Sequence, residues 1–234
     1  DEYELNTINL TIGNGNYTLY FNNASDADEI PSYYNLRDYN LLTIPKDQQD
    51  SGNCWAFATI AVLESNILKA AGVPLDLSEE NMKNVIAKFS DYGWDFSTND
   101  GGNHEMAIGY LTGWLGPVLE KDDPFDDKGA VSPILGSVAH VQNVLFLTRS
   151  SYTDNDAIKK AIMKYGAVGT SMYYSYISNG AHYFNGDTAP NHAVTIVGWD
   201  DTFSKNKFRT KPPGDGAWIV RNSWGSTWNG NGYF

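Results

Sequence analysis

The chain has 234 residues, of which 41% are hydrophobic and 14% aromatic, and a chain of this length can bury a sizeable core. Its formal net charge is −12, which leaves no basic stripe to neutralise phosphates and excludes nucleic acid as an expected partner. No apolar run approaches the ~18 residues of a membrane span.

Residues 1–30 form a polar segment in which apolar and polar residues alternate in places, and this alternation predicts one or two strands. Three glycosylation sequons begin at Asn9, Asn16 and Asn23, and they support a glycosylated surface protein. We expect residues 1–30 to be an N-terminal extension, a pro-segment or the tail of a preceding domain. The chain starts without an initiator methionine or a signal peptide, so we expect it to be a processed or excised piece.

Cys54 is the only cysteine in the chain, so it cannot form an intrachain disulfide. An Ala-, Leu- and Ile-rich run with helical spacing follows at 55–71 and stops at Gly72. Cys54 therefore lies in the first turn of a predicted helix, where unpaired N–H groups favour a thiolate. Packing as a small buried hydrophobe is the alternative role for this side chain.

The remaining pattern divides into two lobes, a helix-rich one at about 34–130 and a strand-rich one at about 131–234. The first holds two further predicted helices, 78–89 and 105–115. The second holds one helix, 154–165, capped by Asp154 and stopped by Gly166. Four strands are predicted in the second lobe, over 141–148, 167–174, 193–199 and 217–221. This order predicts an α+β fold with a cleft between the lobes.

His192 is the one histidine, of four, that lies in a run typical of an active site. It stands at the entry of the predicted strand 193–199, and Asn222 directly follows the strand 217–221. If the two strands are neighbours, Asn222 can accept a hydrogen bond from one ring nitrogen while the other faces the thiol of Cys54.

Four ordered motifs resemble signatures of the papain family of cysteine peptidases. They are Lys46-Asp47-Gln48, Cys54-Trp55-Ala56-Phe57, Asn191-His192-Ala193-Val194 and Asn222-Ser223-Trp224-Gly225. The resemblance covers roughly residues 33–234, is strongest to archaeal and bacterial cell-surface members that often carry a lectin-like domain, and implies a papain-like two-lobe fold. It also implies that 31–234 is the peptidase domain and that the final strands of the fold lie beyond Phe234.

The resemblance implies four catalytic residues. Cys54 matches the nucleophile, His192 the base and Asn222 the orienting amide. Gln48, six positions before the cysteine, matches the side chain that completes the oxyanion hole with the Cys54 N–H. The spacing, not the residue type, selects Gln48 over Gln49.

The resemblance also implies the substrate-binding residues. Gly101 and Gly102 match a double glycine along which substrate backbone runs, although a simple turn is the alternative for these glycines. Pro190 and Asn191 are expected to line the main specificity pocket.

Two tryptophans complete the expected cleft. Trp224 matches the indole that shields the His–Asn hydrogen bond and borders the cleft. Trp228 matches a tryptophan on the primed side of the cleft, and an aromatic wall of the core is its alternative role.

The family usually bridges two cysteines where this chain has Ser51 and Asn99. Because both partners are replaced together, we expect a framework rebuilt without disulfides. The acidic composition and the bacterial resemblance predict an extracellular or cell-surface location. His104, His140 and His182 lack metal-ligand spacing, so neither a metal nor another cofactor is expected.

The predicted activity is endopeptidase hydrolysis through a thioester on Cys54, with a peptide or protein as substrate and further domains of a larger surface protein as additional partners. Two alternatives stay open at this point. One is a catalytically silent adhesin or binding module on the same fold, and the other is a cysteine amidase that acts on cell-wall amides.

Overall fold

The computed structural model describes residues 29–234 in full and, before them, only the backbone of two strands. These strands, β1 (Thr7–Ile12) and β2 (Gly15–Tyr20), pair antiparallel, so the strands predicted in this segment are confirmed. The sequon at Asn23 lies outside the described residues, and so do the side chains of the other two sequons.

Three helices form the first lobe: α1 (Cys54–Ala71), α2 (Glu79–Val85) and α3 (His104–Thr112). α1 ends at Gly72, whose φ of 68° is in the left-handed region that glycine adopts without strain. The Ser78 hydroxyl caps α2 by accepting a hydrogen bond from the Asn81 N–H. Buried apolar side chains of the three helices form one core.

Two of these helices are shorter than predicted. α2 stops at Val85 instead of Phe89 because the following loop folds back on the helix end, where the Trp94 N–H donates to the Ile86 carbonyl. α3 stops at Thr112 instead of Leu115, with Gly113 as its cap.

The second lobe is built on a four-stranded antiparallel sheet. The strands of this sheet are β3 (Tyr33–Asn35), β5 (Val168–Met172), β6 (His192–Asp200) and β7 (Ala217–Arg221), and the helix of the lobe is α4 (Asp156–Tyr165). The short β4 (Ala139–His140) is not part of the sheet and pairs with β1. β6 is the central strand, since β7 lies along one edge and β5 and β3 share the other. β3, from the start of the first lobe, therefore completes the sheet of the second.

Two expectations for the second lobe are wrong. No strand covers 141–148, because among the described residues only Ala139 and His140 pair there, and Val144, Leu145 and Phe146 face solvent, with Phe146 71% exposed. The helix cap is also different: α4 follows Asn155, while the Asp154 carboxylate accepts hydrogen bonds from the N–H and hydroxyl of Ser150.

A second apolar core lies between α4 and the β6 sheet, separate from the core of the helical lobe. The expected α+β architecture of two lobes is therefore present. α1 joins them, because the Thr195 hydroxyl on β6 donates to the Ala58 carbonyl at 3.1 Å. This contact sets the amino end of α1 beside the start of β6.

Contrary to the expectation from sequence, α1 is long and apolar enough to cross a membrane by length and composition. More than half of it is buried inside the protein, and its buried residues include Trp55, Ile60 and Ile67. α1 is the central packing element of the first lobe, which is the pattern of a core helix.

Candidate active site

Cys54 is the first residue of α1 and is half-buried at the junction of the two lobes. The first N–H groups of a helix have no acceptor within it, so they surround the thiol with partial positive charge. The Ala193 N–H donates to Cys54 Sγ at 3.4 Å. Because Ala193 directly follows His192, this contact brings the predicted nucleophile next to the predicted base.

His192 and Asn222 lie at the same end of two neighbouring strands, β6 and β7. The His192 Nε2 is 2.8 Å from the Asn222 Oδ1, and the Ser223 N–H also donates to this oxygen, at 2.9 Å. An amide oxygen only accepts, so Nε2 carries a proton and Nδ1 is left for a second partner. The predicted neighbouring strands thus orient the imidazole.

Burial shifts the pKa values of both reacting groups toward their neutral forms. It raises the pKa of the Cys54 thiol, and nearby backbone N–H groups, that of Ala193 first, partly oppose this rise. It lowers the pKa of His192, and the hydrogen bond to Asn222 partly opposes that change. A lone charge on either side chain is therefore disfavoured.

An aromatic cluster covers the imidazole. Trp224 stacks on His192 with ring centroids 5.0 Å apart and 23° between the planes, and Trp228 meets Trp224 edge-on at 5.0 Å. Tyr174 contacts both rings edge-on, at 6.0 Å from His192 and 5.0 Å from Trp224. The sequence predicts Tyr174 as the last residue of the strand 167–174 and indicates no role for it in the site, whereas β5 ends at Met172 and Tyr174 lies beyond it.

Gln48 is buried beside the site, whereas Gln49 is exposed. The Gln48 Nε2 donates to the Ser51 carbonyl at 2.7 Å, and the Gln48 Oε1 accepts from the Ser223 hydroxyl. The backbone N–H of Gln48 also donates to the Ser223 carbonyl at 2.8 Å. A side-chain amide has two N–H bonds, so one remains beyond the contact with Ser51.

Lys46 anchors the segment that carries Gln48. Its ammonium contacts three carboxylates, those of Asp76 at 2.7 Å, Glu79 at 3.0 Å and Glu64 at 3.3 Å. Burial raises the pKa of Glu79 to about 8, and the neighbouring Glu64 and Glu120 add to this rise, even though Lys46 lowers the pKa.

Gly101 and Gly102 lie against the loop and helix that present Cys54. A Cβ on Gly102 would be 2.5 Å from Trp55 Nε1, and one on Gly52 would be 2.7 Å from the Gly101 nitrogen. Side chains cannot enter such contacts, so the backbone passes here without them. The double glycine is therefore a close approach to α1 and not only a turn.

Asn99 joins this loop to the rest of the helical lobe. Its carbonyl accepts from the Gly52 N–H at 2.9 Å, and its Oδ1 accepts from Asn53 at 3.1 Å and from the Lys83 ammonium at 3.2 Å. The Lys83 side chain is fully buried, pairs with Glu80 at 3.2 Å, and also donates to two loop carbonyls, those of Asp126 and Gly129. This polar network lies where relatives of the family have the disulfide that the sequence of this chain lacks.

The remaining predicted residues, Pro190 and Asn191, are exposed and directly precede His192. The Asn191 side chain pairs with the backbone of Tyr174, accepting from its N–H at 2.6 Å and donating to its carbonyl at 3.0 Å. Asn191 thus ties the aromatic cluster to β6. Within the described part of the chain, no group of three or more potential metal ligands comes together.

The chain is similar in sequence to known cysteine proteases. The model of the family described as "Papain family cysteine protease" matches residues 30–234. Pro-cathepsin H of Mus musculus is 30% identical over 206 residues, covering 83% of this chain and 56% of that protein. The probable cysteine protease RD19B of Arabidopsis thaliana is 28% identical over 224 residues, covering 89% of this chain and 58% of that protein.

Solved structures give the same result. The cysteine protease and lectin-like domains of Cwp84, a surface layer associated protein of Clostridium difficile, match with a TM-score of 0.74 and 32% identity over 90% of this chain and 48% of that one. Bromelain from Ananas comosus, in complex with the E64 inhibitor, matches with a TM-score of 0.67 and 26% identity over 88% of both chains. The chain spans little more than half the length of the curated relatives it matches.

Proposed function

Because the chain belongs to the papain family of cysteine proteases, we propose that it is a cysteine endopeptidase that hydrolyses peptide bonds at Cys54, His192 and Asn222. One observation carries this proposal. The Ala193 N–H donates to the Cys54 sulfur, and the adjacent His192 donates from Nε2 to the Asn222 Oδ1 at 2.8 Å. Thiol, imidazole and amide thus stand in the order that nucleophilic catalysis requires.

The first step forms both charges at once. His192 takes the thiol proton on its free nitrogen, and the Cys54 thiolate of the resulting ion pair attacks the substrate carbonyl. Burial disfavours each charge alone, but the thiolate and imidazolium arise as a pair that stabilises itself. The positive end of α1 and the Ala193 N–H favour the thiolate.

The carbonyl oxygen becomes an oxyanion as the carbon–sulfur bond forms. We assign its two donors to the Cys54 N–H and the second N–H of the Gln48 side-chain amide. Gln48 is held by Ser51 and Ser223 before substrate arrives, so this donor does not reorganise during the reaction. Such donors contribute roughly 3–4 kcal/mol each to the transition state.

His192 then protonates the leaving amine, and a thioester remains on Cys54. Water, activated by His192, attacks the thioester, the acid is released and the thiol regains its proton. Asn222 keeps the imidazole in one orientation through both transfers, and the stacked Trp224 shields their hydrogen bond from water.

We assign substrate contacts to the surfaces around these groups. The bare backbone of Gly101 and Gly102 is suited to pair with an extended peptide. We assign Pro190 and Asn191, which directly precede His192, to the main specificity pocket, and the contacting pair Trp224 and Trp228 to an aromatic wall of the cleft.

We further propose that the protein is an extracellular or cell-surface enzyme of archaeal or bacterial type. Residues 31–234 would be the peptidase domain, and residues 1–30 an extension, a pro-segment or the tail of a preceding domain. The whole protein would contain further domains. The family match that starts at residue 30 supports the boundary. The likeness to a surface layer associated protein supports the location.

The test combines activity with active-site titration. The full-length protein is incubated with a mixed peptide library and, separately, with the epoxide inhibitor E64. We expect cleaved peptides and one inhibitor bound at Cys54. Labelling without cleavage of any peptide would favour the amidase alternative, and the absence of both would favour the silent binding module.

A further inference from the structure

Both ring nitrogens of His182 contact backbone carbonyl oxygens. Nε2 lies 2.8 Å from the Tyr173 carbonyl, and Nδ1 lies 2.9 Å from the Tyr176 carbonyl. A carbonyl oxygen can only accept, and a neutral imidazole has a single N–H. Both contacts are therefore hydrogen bonds only when the ring is protonated on both nitrogens.

We propose that His182, as an imidazolium, is a positioning residue that clamps the segment 173–176 against the catalytic imidazole of His192. The role of His192 rests on the proposed function. The clamp itself is a statement about this segment and can be tested without activity.

The clamped segment carries Tyr174, which connects His182 to the active site. The centroid of the Tyr174 ring lies 6.0 Å from that of His192 and 5.0 Å from that of Trp224. The ring of His182 also lies near Tyr174, with 6.4 Å between the two centroids. Asn191 holds the Tyr174 backbone at both its N–H and its carbonyl. Two clamps, Asn191 and His182, thus fix one aromatic side chain beside the base.

The surroundings of His182 define how the clamp responds to pH. The titratable and charged groups around it are the Tyr174 phenol, with its ring centroid 6.4 Å away, the imidazole of His192 across Tyr174, and the Arg209 guanidinium over the Tyr176 ring at 5.3 Å. Among the residues that the structure describes, no carboxylate pairs with His182. The two carbonyls are therefore its direct partners for the positive charge.

Loss of one proton leaves a ring nitrogen lone pair facing a carbonyl lone pair, so one of the two bonds is replaced by repulsion. The segment then loosens, and Tyr174 no longer covers His192 and Trp224 steadily. Water gains access to the His192–Asn222 hydrogen bond. The enzyme should therefore lose part of its rate when His182 loses one of its two ring protons, by about 3- to 10-fold for one hydrogen bond.

The kinetic test compares pH profiles of kcat/KM for the wild type, His182→Gln and the control His140→Gln, whose ring stacks on Trp114 away from this segment. We expect a step in the wild type and in His140→Gln, carried by kcat. In His182→Gln the step should be absent, with the rate at low pH falling to the wild-type level at high pH. A His182→Gln profile that keeps the wild-type step, at whatever overall rate, overturns the proposal.

The structural test is independent of activity. Nitrogen-15 NMR of the histidine side chains in the full chain carrying Cys54→Ala reports how many ring nitrogens of His182 are protonated. Two protonated nitrogens at the pH where kcat/KM of the wild type is highest support the clamp, and a single one overturns it. If the wild type hydrolyses no peptide at any pH, the proposed function fails, and the NMR result still decides the clamp.

Discussion

The indole of Trp224 lies face to face with the imidazole of His192, with 5.0 Å between ring centroids and 23° between the planes. Trp224 is only two residues beyond Asn222, which binds the same imidazole through Nε2. One short segment after β7 therefore supplies both the hydrogen-bond partner of the ring and its apolar cover. This arrangement keeps the imidazole in place while one nitrogen stays open to the thiol.

Replacing the nucleophile should remove activity but not the fold. For Cys54→Ala we expect peptide hydrolysis to fall by more than ~1,000-fold. Labelling by iodoacetamide should disappear altogether, because the chain has no other cysteine. Circular dichroism and the midpoint of thermal unfolding should stay close to the wild type. Retained turnover in this variant would reject Cys54 as the nucleophile.

The two adjacent glutamines should differ strongly. Gln48→Ala removes an oxyanion donor, and we expect kcat to fall by about 100- to 1,000-fold. Gln49→Ala, at an exposed position, should leave kcat near the wild-type value. Steady-state kinetics on one peptide substrate measures kcat of both variants. Because the Ser223 hydroxyl loses its acceptor in Gln48→Ala, the unfolding midpoints of both variants show whether this loss affects stability. Equal falls in kcat would show that the predicted spacing is off by one residue.

Asn222→Ala should change both the rate and its pH dependence. The hydrogen bond to Asn222 raises the pKa of His192 against the effect of burial, so its removal lowers that pKa. The imidazolium then persists only to a lower pH, and the alkaline limb of kcat should move toward lower pH. We also expect kcat to drop roughly tenfold, as for one lost hydrogen bond to a charged group.

The control for this prediction is Asn206→Ala, an exposed position near β7. It should reproduce the wild-type profile. An alkaline limb in Asn222→Ala that stays in place or moves to higher pH would contradict the assigned role of the amide.

Glu79 should make the protein less stable as pH rises. Burial raises its pKa from the ordinary 4.5 to about 8 in the folded chain, so the native state holds a proton that the unfolded state has released. Stability is therefore greatest below pH 4.5 for this group and declines as pH rises through about 8, by at most about 1.4 kcal/mol per pH unit. Urea unfolding at several pH values measures the slope.

Glu79→Gln should flatten this slope, whereas the exposed Glu105→Gln should not. Carboxyl groups outside the cluster around Lys46 contribute equally to all three proteins, so the comparison reports on Glu79 together with the groups coupled to it. An unchanged slope in Glu79→Gln would mean that Lys46 keeps the carboxylate ionised in the folded chain.

Lys83 is a stabilising cation that is fully enclosed. Lys83→Met removes one donor from the Asn99 side chain and from each of two loop carbonyls, and it removes the cation that pairs with the Glu80 carboxylate. We expect the free energy of unfolding to fall by about 3–5 kcal/mol, as for a buried ion pair that loses one partner. Lys88→Met, at an exposed lysine on the same lobe, should change it little. Similar values for the two variants would remove Lys83 from the network.

Much of the site was predictable because it depends on the ends of regular elements. Cys54 begins an apolar helix, His192 begins a buried strand and Asn222 follows another, so the fold brings them together once the strands pair. The bounds of β7 match the prediction, since its apolar run is flanked by a glycine and a polar asparagine.

The parts that sequence did not predict depend on tertiary partners. The run 141–148 has the composition of a strand but pairs with no backbone in the part of the chain that the structure describes, and Val144, Leu145 and Phe146 face solvent. The contacts of Tyr174 and His182 form beyond Met172, where β5 ends two residues before the predicted bound at 174. The sequence around Lys83 is typical of a surface charge on a short helix, and only the folded loop around Asp126 and Gly129 shows that it is enclosed.

The network of Asn99 and Lys83 has a consequence for redox chemistry. A catalytic sulfur works only while it is reduced, and in a bridged relative the reductant that protects it also threatens the disulfide nearby. Here the loop before Cys54 is held by amides, carbonyls and an ammonium, none of which a thiol reductant can open. Reduction of the sulfur is therefore independent of the contacts that hold the loop. A high concentration of dithiothreitol should activate the enzyme without lowering its stability.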